Sequence, residues 1–297
     1  MKISIPAVFA ANTLAREGEA GRGWIEALPN MVDSLGQRWG LTLDGTVMHG
    51  DNGLVVPVKH ADEPCALKVS WLSPATLDEA AVLRAWGGRG AIHLLETDPH
   101  SGAMLLERVN HRRSLKNLEI GEGIQVAGKL LRRLSIPAPD GFRHVRRQTQ
   151  HLSQSLPESW DRLGQPFSRK VLNCVCESIE PLISNANELL VNYDLHWENI
   201  YASDREPWLA VDPMVVVGDA EFGLSPLLWW RLEDIQRCGG LERYFPALVE
   251  AAELDSKRSR DWALLRSVEY WLWGLEHGLT IDPPRCAFVV DWLDRLH

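Results

Sequence analysis

The helical second half of this chain is broken by a single short island of β-prone sequence, and that island narrows the folds open to it. From residue 118 onward apolar residues recur at helical spacing, predicting helices over 119–134, 143–155, 167–185, 224–237, 241–252, 258–277 and 284–296. Among them, 189–191, 199–202 and 208–211 read as strands. The first two flank the run Val191-Asn192-Tyr193-Asp194-Leu195-His196-Trp197-Glu198-Asn199-Ile200, and the third ends at Asp212-Pro213. Short strands with polar tips, set among helices, hold loop side chains on a rigid frame, which is where function concentrates. A hairpin through the island brings Asn199 and Asp212 side by side.

The first half has a different grain. Trp24, Ile25, Leu28, Met31, Val32, Leu35 and Trp39 mark a helix over 21–39. The period then shortens: 41–43, 54–58 and 66–69 are β-prone runs separated by turn residues at 44–45, 50–53 and 62–64. Residues 76–86 read as a helix stopped by Gly87-Gly88, and 91–96 and 103–109 as further strands. The expected architecture is α+β and bilobal. Residues 1–109 form a small lobe with an N-terminal helix, an antiparallel sheet and one key helix; residues 110–297 form a larger, mainly helical lobe.

Composition removes several classes of function. With 31 basic and 40 acidic residues the net charge is −9, so there is no basic face to argue for nucleic acid. No apolar run reaches the roughly 18 residues of a membrane helix. Pro6 interrupts the apolar stretch 3–11 and Arg16-Glu17 follows it, which reads against a signal peptide. Five scattered cysteines give no disulfide framework and fit a reducing, cytoplasmic setting. The 13 tryptophans are read as core and interface residues.

Asp194 and Asn199 stand at the interval of the Asp and Asn in the H-R-D-x-x-x-x-N loop of protein kinases. Phosphoryl transfer needs a hard cation on the triphosphate, and magnesium accepts a few carboxylate or amide oxygens from the protein. Asn199 and Asp212 can supply these, leaving Asp194 to face an acceptor hydroxyl as base or orienting group. Lys68 lies in an apolar strand, and lysine is almost never buried unpaired. Glu79, at the start of the following helix, is its natural partner. The two would hold nucleotide phosphates, or else form a surface ion pair. The turn Gly50-Asp51-Asn52-Gly53 lies where a phosphate-covering loop belongs, but it lacks the glycine spacing and could be a plain hairpin; Gly50, Asn52 and Gly53 are its candidate nucleotide contacts. The segment carrying Glu107 and Val109 closes the lobe and offers backbone for an adenine ring. Asp219, Glu221, Glu233 and Asp234 are candidates to meet a cationic acceptor through charge-assisted hydrogen bonds, or form a solvated helix face. P-loop, H-E-x-x-H and G-x-S-x-G motifs are absent.

Asp194-Leu195-His196 with Asn199, then 208–213 and Gly218-Asp219-Ala220-Glu221-Phe222, resembles the aminoglycoside phosphotransferase family, and within it the streptomycin 6-kinase and hydroxyurea-resistance kinase branch. Supporting stretches are Leu67-Lys68-Val69-Ser70, Leu105-Leu106-Glu107-Arg108 and Pro226-Leu227-Leu228-Trp229, and the likeness runs from about residue 20 to 290. The resemblance implies a protein-kinase-like fold, ATP, Mg2+ and O-phosphorylation of a small hydroxylated, usually cationic molecule such as streptomycin. It implies Asp194 as the catalytic aspartate, Asn199 and Asp212 as metal ligands, and Lys68 with Glu79 as the nucleotide pair. The chain departs from the family pattern at Asn192-Tyr193, where His-Gly is usual, at Glu198 for Gly, at Met214 for Lys and at Gly223 for Asp. A metabolic kinase for an amino sugar or a choline-like alcohol would share every catalytic residue; a non-catalytic binding module would bind nucleotide without turnover.

Overall fold

A computed structural model describes residues 1–296 and divides the chain into two compact units, Met1–Val109 and the part from Asn110 onward. In the first, strands β1 (Leu41–Leu43), β2 (Met48–His49), β3 (Gly53–His60), β4 (Glu63–Ser70), β5 (Leu94–Asp98) and β6 (Ala103–Glu107) form one antiparallel sheet. Its order is β1-β3-β4-β6-β5, with β2 paired to β3. Leu54, Val56 and Val58 of β3 and Cys65, Leu67 and Val69 of β4 alternate along their strands and are all buried. Period two puts them on one face, and helix α1 (Ala7–Arg38) packs there through Phe9, Leu28, Val32 and Leu35. Lys68 has the opposite parity and sits between Val55 and Met104 in the ladder.

Helix α1 begins well before residue 21. Gly18 interrupts it with φ 61°, a conformation glycine adopts without a Cβ penalty. The break returns the N-terminal apolar stretch to the core, where the Phe9 ring meets Trp24 edge-on at 5.9 Å. The helix expected over 76–86 is two pieces, α2 (Pro74–Leu77) and α3 (Glu79–Trp86). A capping box opens α2: Thr76 N–H donates to Ser73 Oγ at 3.3 Å while Ser73 N–H donates to Thr76 Oγ1 at 2.9 Å.

The second unit contains β7 (Asn110–Ser114), α4 (Ile120–Leu134), β8 (Ile136–Pro137), α5 (Val145–Thr149), α6 (Leu152–Arg162) and α7 (Arg169–Ser184). The island follows, as β9 (Leu189–Asn192), β10 (Ile200–Ala202), β11 (Leu209–Ala210) and β12 (Val215–Gly218). Helices α8 (Pro226–Trp229), α9 (Leu232–Arg237), α10 (Gly240–Ala251), α11 (Ser256–Glu276) and α12 (Asp282–Asp294) complete it. The strands form two small antiparallel sheets, β11-β10-β7 and β12-β9-β8. The helices expected over 143–155 and 224–237 each divide in two. Strands β2, β7, β8 and β12 go beyond the sequence reading. Among the described residues, no helix is long and apolar enough to cross a membrane.

Candidate active site

The two small sheets of the second unit bracket one loop. The β9–β12 ladder ends at Asn192 opposite Val215, and the β10–β11 ladder begins at Ile200 opposite Ala210. Residues 193–199 therefore span the gap beside Asp212-Pro213-Met214, and Tyr193 N–H donates to Met214 O at 2.9 Å. Trp197, fully buried, anchors the loop from within. Its indole N–H donates to Leu227 O at 3.3 Å, and its carbonyl accepts from Ser114 Oγ at 2.9 Å and Lys116 N–H at 3.2 Å. Gly123 of α4 makes room for this ring, since a Cβ there would stand 2.7 Å from it.

Asp194 is partly exposed at the head of the loop. Its N–H donates to Asn192 Oδ1 at 3.1 Å, a short side-chain clamp of the kind asparagine makes in turns. Asn199 Nδ2 donates to Asp194 O at 3.2 Å. A carbonyl only accepts, so this contact fixes the amide and leaves Oδ1 as the outward acceptor. Val211 N–H donates to Asn199 O at 2.9 Å, so the β10–β11 hairpin sets Asn199 next to the residue before Asp212. Asp212 is exposed with φ 49°, a left-handed conformation that aspartate tolerates better than most residues. An amide oxygen and an exposed carboxylate are the donors that a hard cation takes, and magnesium needs few of them from protein. The donor set therefore fits Mg2+.

His196 is buried, stacked on Trp230 at 4.0 Å and 5°. Its Nδ1 accepts from Glu198 N–H at 3.2 Å, which puts the ring proton on Nε2, 4.0 Å from Asp194 Oδ2. Burial holds its pKa down at about 4, so the ring is neutral near pH 7 and packs the loop. Glu198 is engaged by Lys116, Nζ to Oε1 2.5 Å, which compensates the charge this position adds. The glycine at 223 is a packing requirement: a Cβ there would stand 2.6 Å from Asn192 O and 2.7 Å from Leu131 Cδ1.

In the first unit, Lys68 Nζ donates to both carboxylate oxygens of Glu79, at 2.8 and 2.7 Å. The side chains are only 9% and 2% exposed, so this is a buried pair rather than a surface one. The 50–53 turn closes as a hairpin, Gly50 N–H donating to Gly53 O at 3.0 Å, and Asn52 O accepts from Trp71 N–H at 2.8 Å. Gly53 is accounted for by the close passage of β4, Ser70 Oγ lying 2.9 Å from where its Cβ would be. Glu107 Oε2 accepts from His93 N–H at 2.9 Å, at the end of β6, and Val109 ends the unit.

Each of the four acidic residues nominated for a cationic acceptor already carries contacts from the protein's own groups. Asp219 is completely buried. Its Oδ1 accepts from the backbone and side-chain N–H groups of Asn187 at 2.9 and 2.8 Å. Its Oδ2 accepts from Trp262 Nε1 at 2.7 Å and from two nitrogens of Arg258. Glu221 is buried and accepts from Asp255 N–H at 3.0 Å; burial raises its pKa. Glu233 takes a two-pronged contact from Arg285, both bonds 2.8 Å, and Arg285 lowers its pKa. Asp234 is held by Arg231 at 2.8 Å and by Arg237.

Sequence reasoning missed the cations that do this work, and also Arg266. Arg266 Nη1 donates to Tyr193 O and Phe222 O, both at 2.9 Å, and so braces the 193–199 loop from α11. The available signal was charged residues within a helix that is otherwise apolar nearly all round.

The model of the aminoglycoside/hydroxyurea antibiotic resistance kinase family matches residues 38–278. The chain is 38% identical to a streptomycin 6-kinase of Streptomyces griseus, over 99% of this chain and 98% of that one. It is 36% identical to a hydroxyurea phosphotransferase of Kitasatospora aureofaciens, over 98% and 86%. Among solved structures, a thermostable variant of aminoglycoside phosphotransferase APH(4)-Ia in ternary complex with ADP and hygromycin B superposes with TM-score 0.60 at 14% identity, covering 87% of this chain and 97% of that one. The choline kinase LicA of Streptococcus pneumoniae superposes with TM-score 0.58 at 14% identity, over 90% and 99%. At these identities the two structures establish a common fold.

Proposed function

Starting from its membership of the aminoglycoside/hydroxyurea antibiotic resistance kinase family, to which the chain belongs, we propose that this phosphotransferase moves the γ-phosphoryl group of ATP to a hydroxyl of a small cationic acceptor of the streptomycin type. The observation that carries the acceptor class is the likeness to streptomycin 6-kinase along nearly the whole chain.

In this reading Asp194 orients the acceptor hydroxyl and takes its proton as the bond to phosphorus forms. Lys68, fixed by Glu79, holds the α- and β-phosphates. The 50–53 turn covers the phosphates, and backbone between Glu107 and Val109 meets the base. Asn199 and Asp212 hold Mg2+, which when bound neutralises charge on the triphosphate. His196, neutral and stacked on Trp230, keeps Asp194 and Asn199 in register without itself exchanging protons.

The test is magnesium-dependent ADP release from ATP with streptomycin, other aminoglycosides, amino sugars, choline and hydroxyurea as acceptors. Stimulation by streptomycin is expected. Stimulation only by choline or a sugar would keep the chemistry and overturn the acceptor class; no stimulation by any of them would overturn the activity.

A further inference from the structure

The peptide unit that joins Tyr193 to Asp194 is gripped at both of its polar ends by side chains. Its carbonyl, Tyr193 O, accepts from Arg266 Nη1 of α11 at 2.9 Å, and its N–H, that of Asp194, donates to Asn192 Oδ1 at 3.1 Å. The unit is trans, so the two groups point opposite ways and the plane is held from both sides. The units before and after it are tied as well. Tyr193 N–H donates to Met214 O at 2.9 Å, two residues past Asp212, and Asp194 O accepts from Asn199 Nδ2 at 3.2 Å. Three successive peptide planes leave residues 193 and 194 no free backbone torsion. The Asp194 carboxylate then keeps only its side-chain rotations.

Both grips leave a buried donor unpaired. Asn192 is completely buried, and its Nδ2 has no partner. Arg266 also reaches Phe222 O at 2.9 Å and packs 4.4 Å from the Phe222 ring centre, yet its Nε is buried without an acceptor. A buried donor without an acceptor costs stability, and an apolar side chain of the same shape does not carry that cost. Such groups in a native fold call for an explanation, and here two of them flank the one peptide unit that leads into Asp194. Holding a reactive side chain in one geometry supplies that explanation. Asn192 stands where the family pattern has His, so at this position the chain offers an amide oxygen to the Asp194 N–H.

Resting on the phosphotransferase reading above, we propose that Arg266 and Asn192 are positioning residues: together they hold the Tyr193–Asp194 peptide plane and so aim the Asp194 carboxylate at the acceptor hydroxyl. Their effect falls on the chemical step, where a misplacement of about 1 Å costs on the order of 100-fold in rate.

The experiment is steady-state kinetics with ATP and streptomycin on Asn192→Leu and Arg266→Lys, with melting temperatures alongside. Leucine matches asparagine in heavy atoms but has neither its acceptor nor its unpaired donor. Lysine keeps the charge and offers a single nitrogen in place of the planar fork. In both variants kcat is expected to fall roughly 10- to 100-fold, with the KM values for ATP and streptomycin within about threefold of wild type. The melting temperature of Asn192→Leu is expected to hold or rise, because an unpaired donor has gone. Asn192→Ser, whose hydroxyl makes the same turn contact more weakly, is expected to recover part of kcat. The double variant should lose little more than the worse single one, since both act on one peptide unit. A kcat within about twofold of wild type in Asn192→Leu overturns the proposal, and so does a loss carried by KM instead of kcat. A lowered melting temperature with no recovery in Asn192→Ser also overturns it, because the amide is then packing alone. Should Arg266→Lys fail to fold, Asn192→Leu decides. Hydrogen exchange needs no acceptor: in Asn192→Leu the amides of 193–199 should exchange about tenfold faster, as loss of one hydrogen bond implies, with those of α4 unchanged. A wild-type protein that turns over no acceptor would defeat the activity reading alone, while unchanged exchange at 193–199 would overturn the positioning role.

Discussion

Asp219→Asn separates an internal pin from a substrate ligand. The carboxylate is completely buried and accepts from five nitrogens: two of Asn187, two of Arg258 and one of Trp262. An amide in its place keeps one acceptor for Asn187 but turns an NH2 toward the donors of Arg258 and Trp262. It also strips Arg258, whose side chain is 23% exposed, of its counter-charge. Breaking a buried ion pair by removing one partner costs about 3–5 kcal/mol. At roughly 2–4 °C per kcal/mol for a unit of this size, the melting temperature should fall by about 6–20 °C. Differential scanning calorimetry reads this directly, and acceptor KM measured well below the transition should stay near wild type. An unchanged melting temperature with a selectively raised acceptor KM would refute the reasoning and return Asp219 to the acceptor site.

Asp194→Ala should lower kcat at least about 100-fold while nucleotide binding by calorimetry stays intact, and undiminished turnover would remove its catalytic role. His196 titrates near pH 4 in the fold against an ordinary 6.5, so its contribution is fully present above pH 6.5 and is lost as pH falls toward 4. The whole effect amounts to about 3 kcal/mol. Melting temperatures at pH 7, 5.5 and 4.5 should therefore fall less steeply in His196→Gln than in wild type, and parallel curves would contradict this. Glu198→Gln breaks an ion pair with both partners more than a third exposed, so it should change stability by no more than about 1 kcal/mol at low salt and less at high salt. Gly223→Asp, the family's usual residue, should lower both melting temperature and kcat, since its Cβ would press on Asn192 O at 2.6 Å; overpacking of this kind costs about 1–3 kcal/mol.

What was legible in the sequence is what short-range rules fix. The Asp194–Asn199 interval sits within one loop, and Lys68 reaches Glu79 because a strand hands over to a helix just downstream. The N-terminal sheet was readable from alternation and turn residues. The start of its opening helix was not, because a positive-φ Gly18 kinks the chain and interrupts the period there. Strand β7 reads Asn-His-Arg-Arg-Ser and exists through its pairing with β10, which no local pattern encodes. The partners of the acidic residues were hidden for the same reason. Glu221 meets Asp255, Asp219 meets Arg258 and Glu233 meets Arg285 across 34, 39 and 52 residues. Asp234 with Arg237 was the exception, three residues apart on one helix and open to anticipation.

The positions where this chain leaves the family pattern share one physical logic. Asn192 presents its side-chain oxygen to the Asp194 N–H and its carbonyl to the space where a Cβ at 223 would stand. Tyr193 gives its carbonyl to Arg266, its N–H to Met214 O, and its ring edge-on to Phe222 at 5.9 Å. Glu198 is balanced by Lys116. Each substituted residue is thus tied to the floor or the flank of the 193–199 loop. Asp194, Asn199 and Asp212 stand in the segments that these contacts support. Such changes alter how the loop is held rather than which groups it presents. Arg266, reaching from α11 to the Tyr193 and Phe222 carbonyls, is the cation on which that support converges.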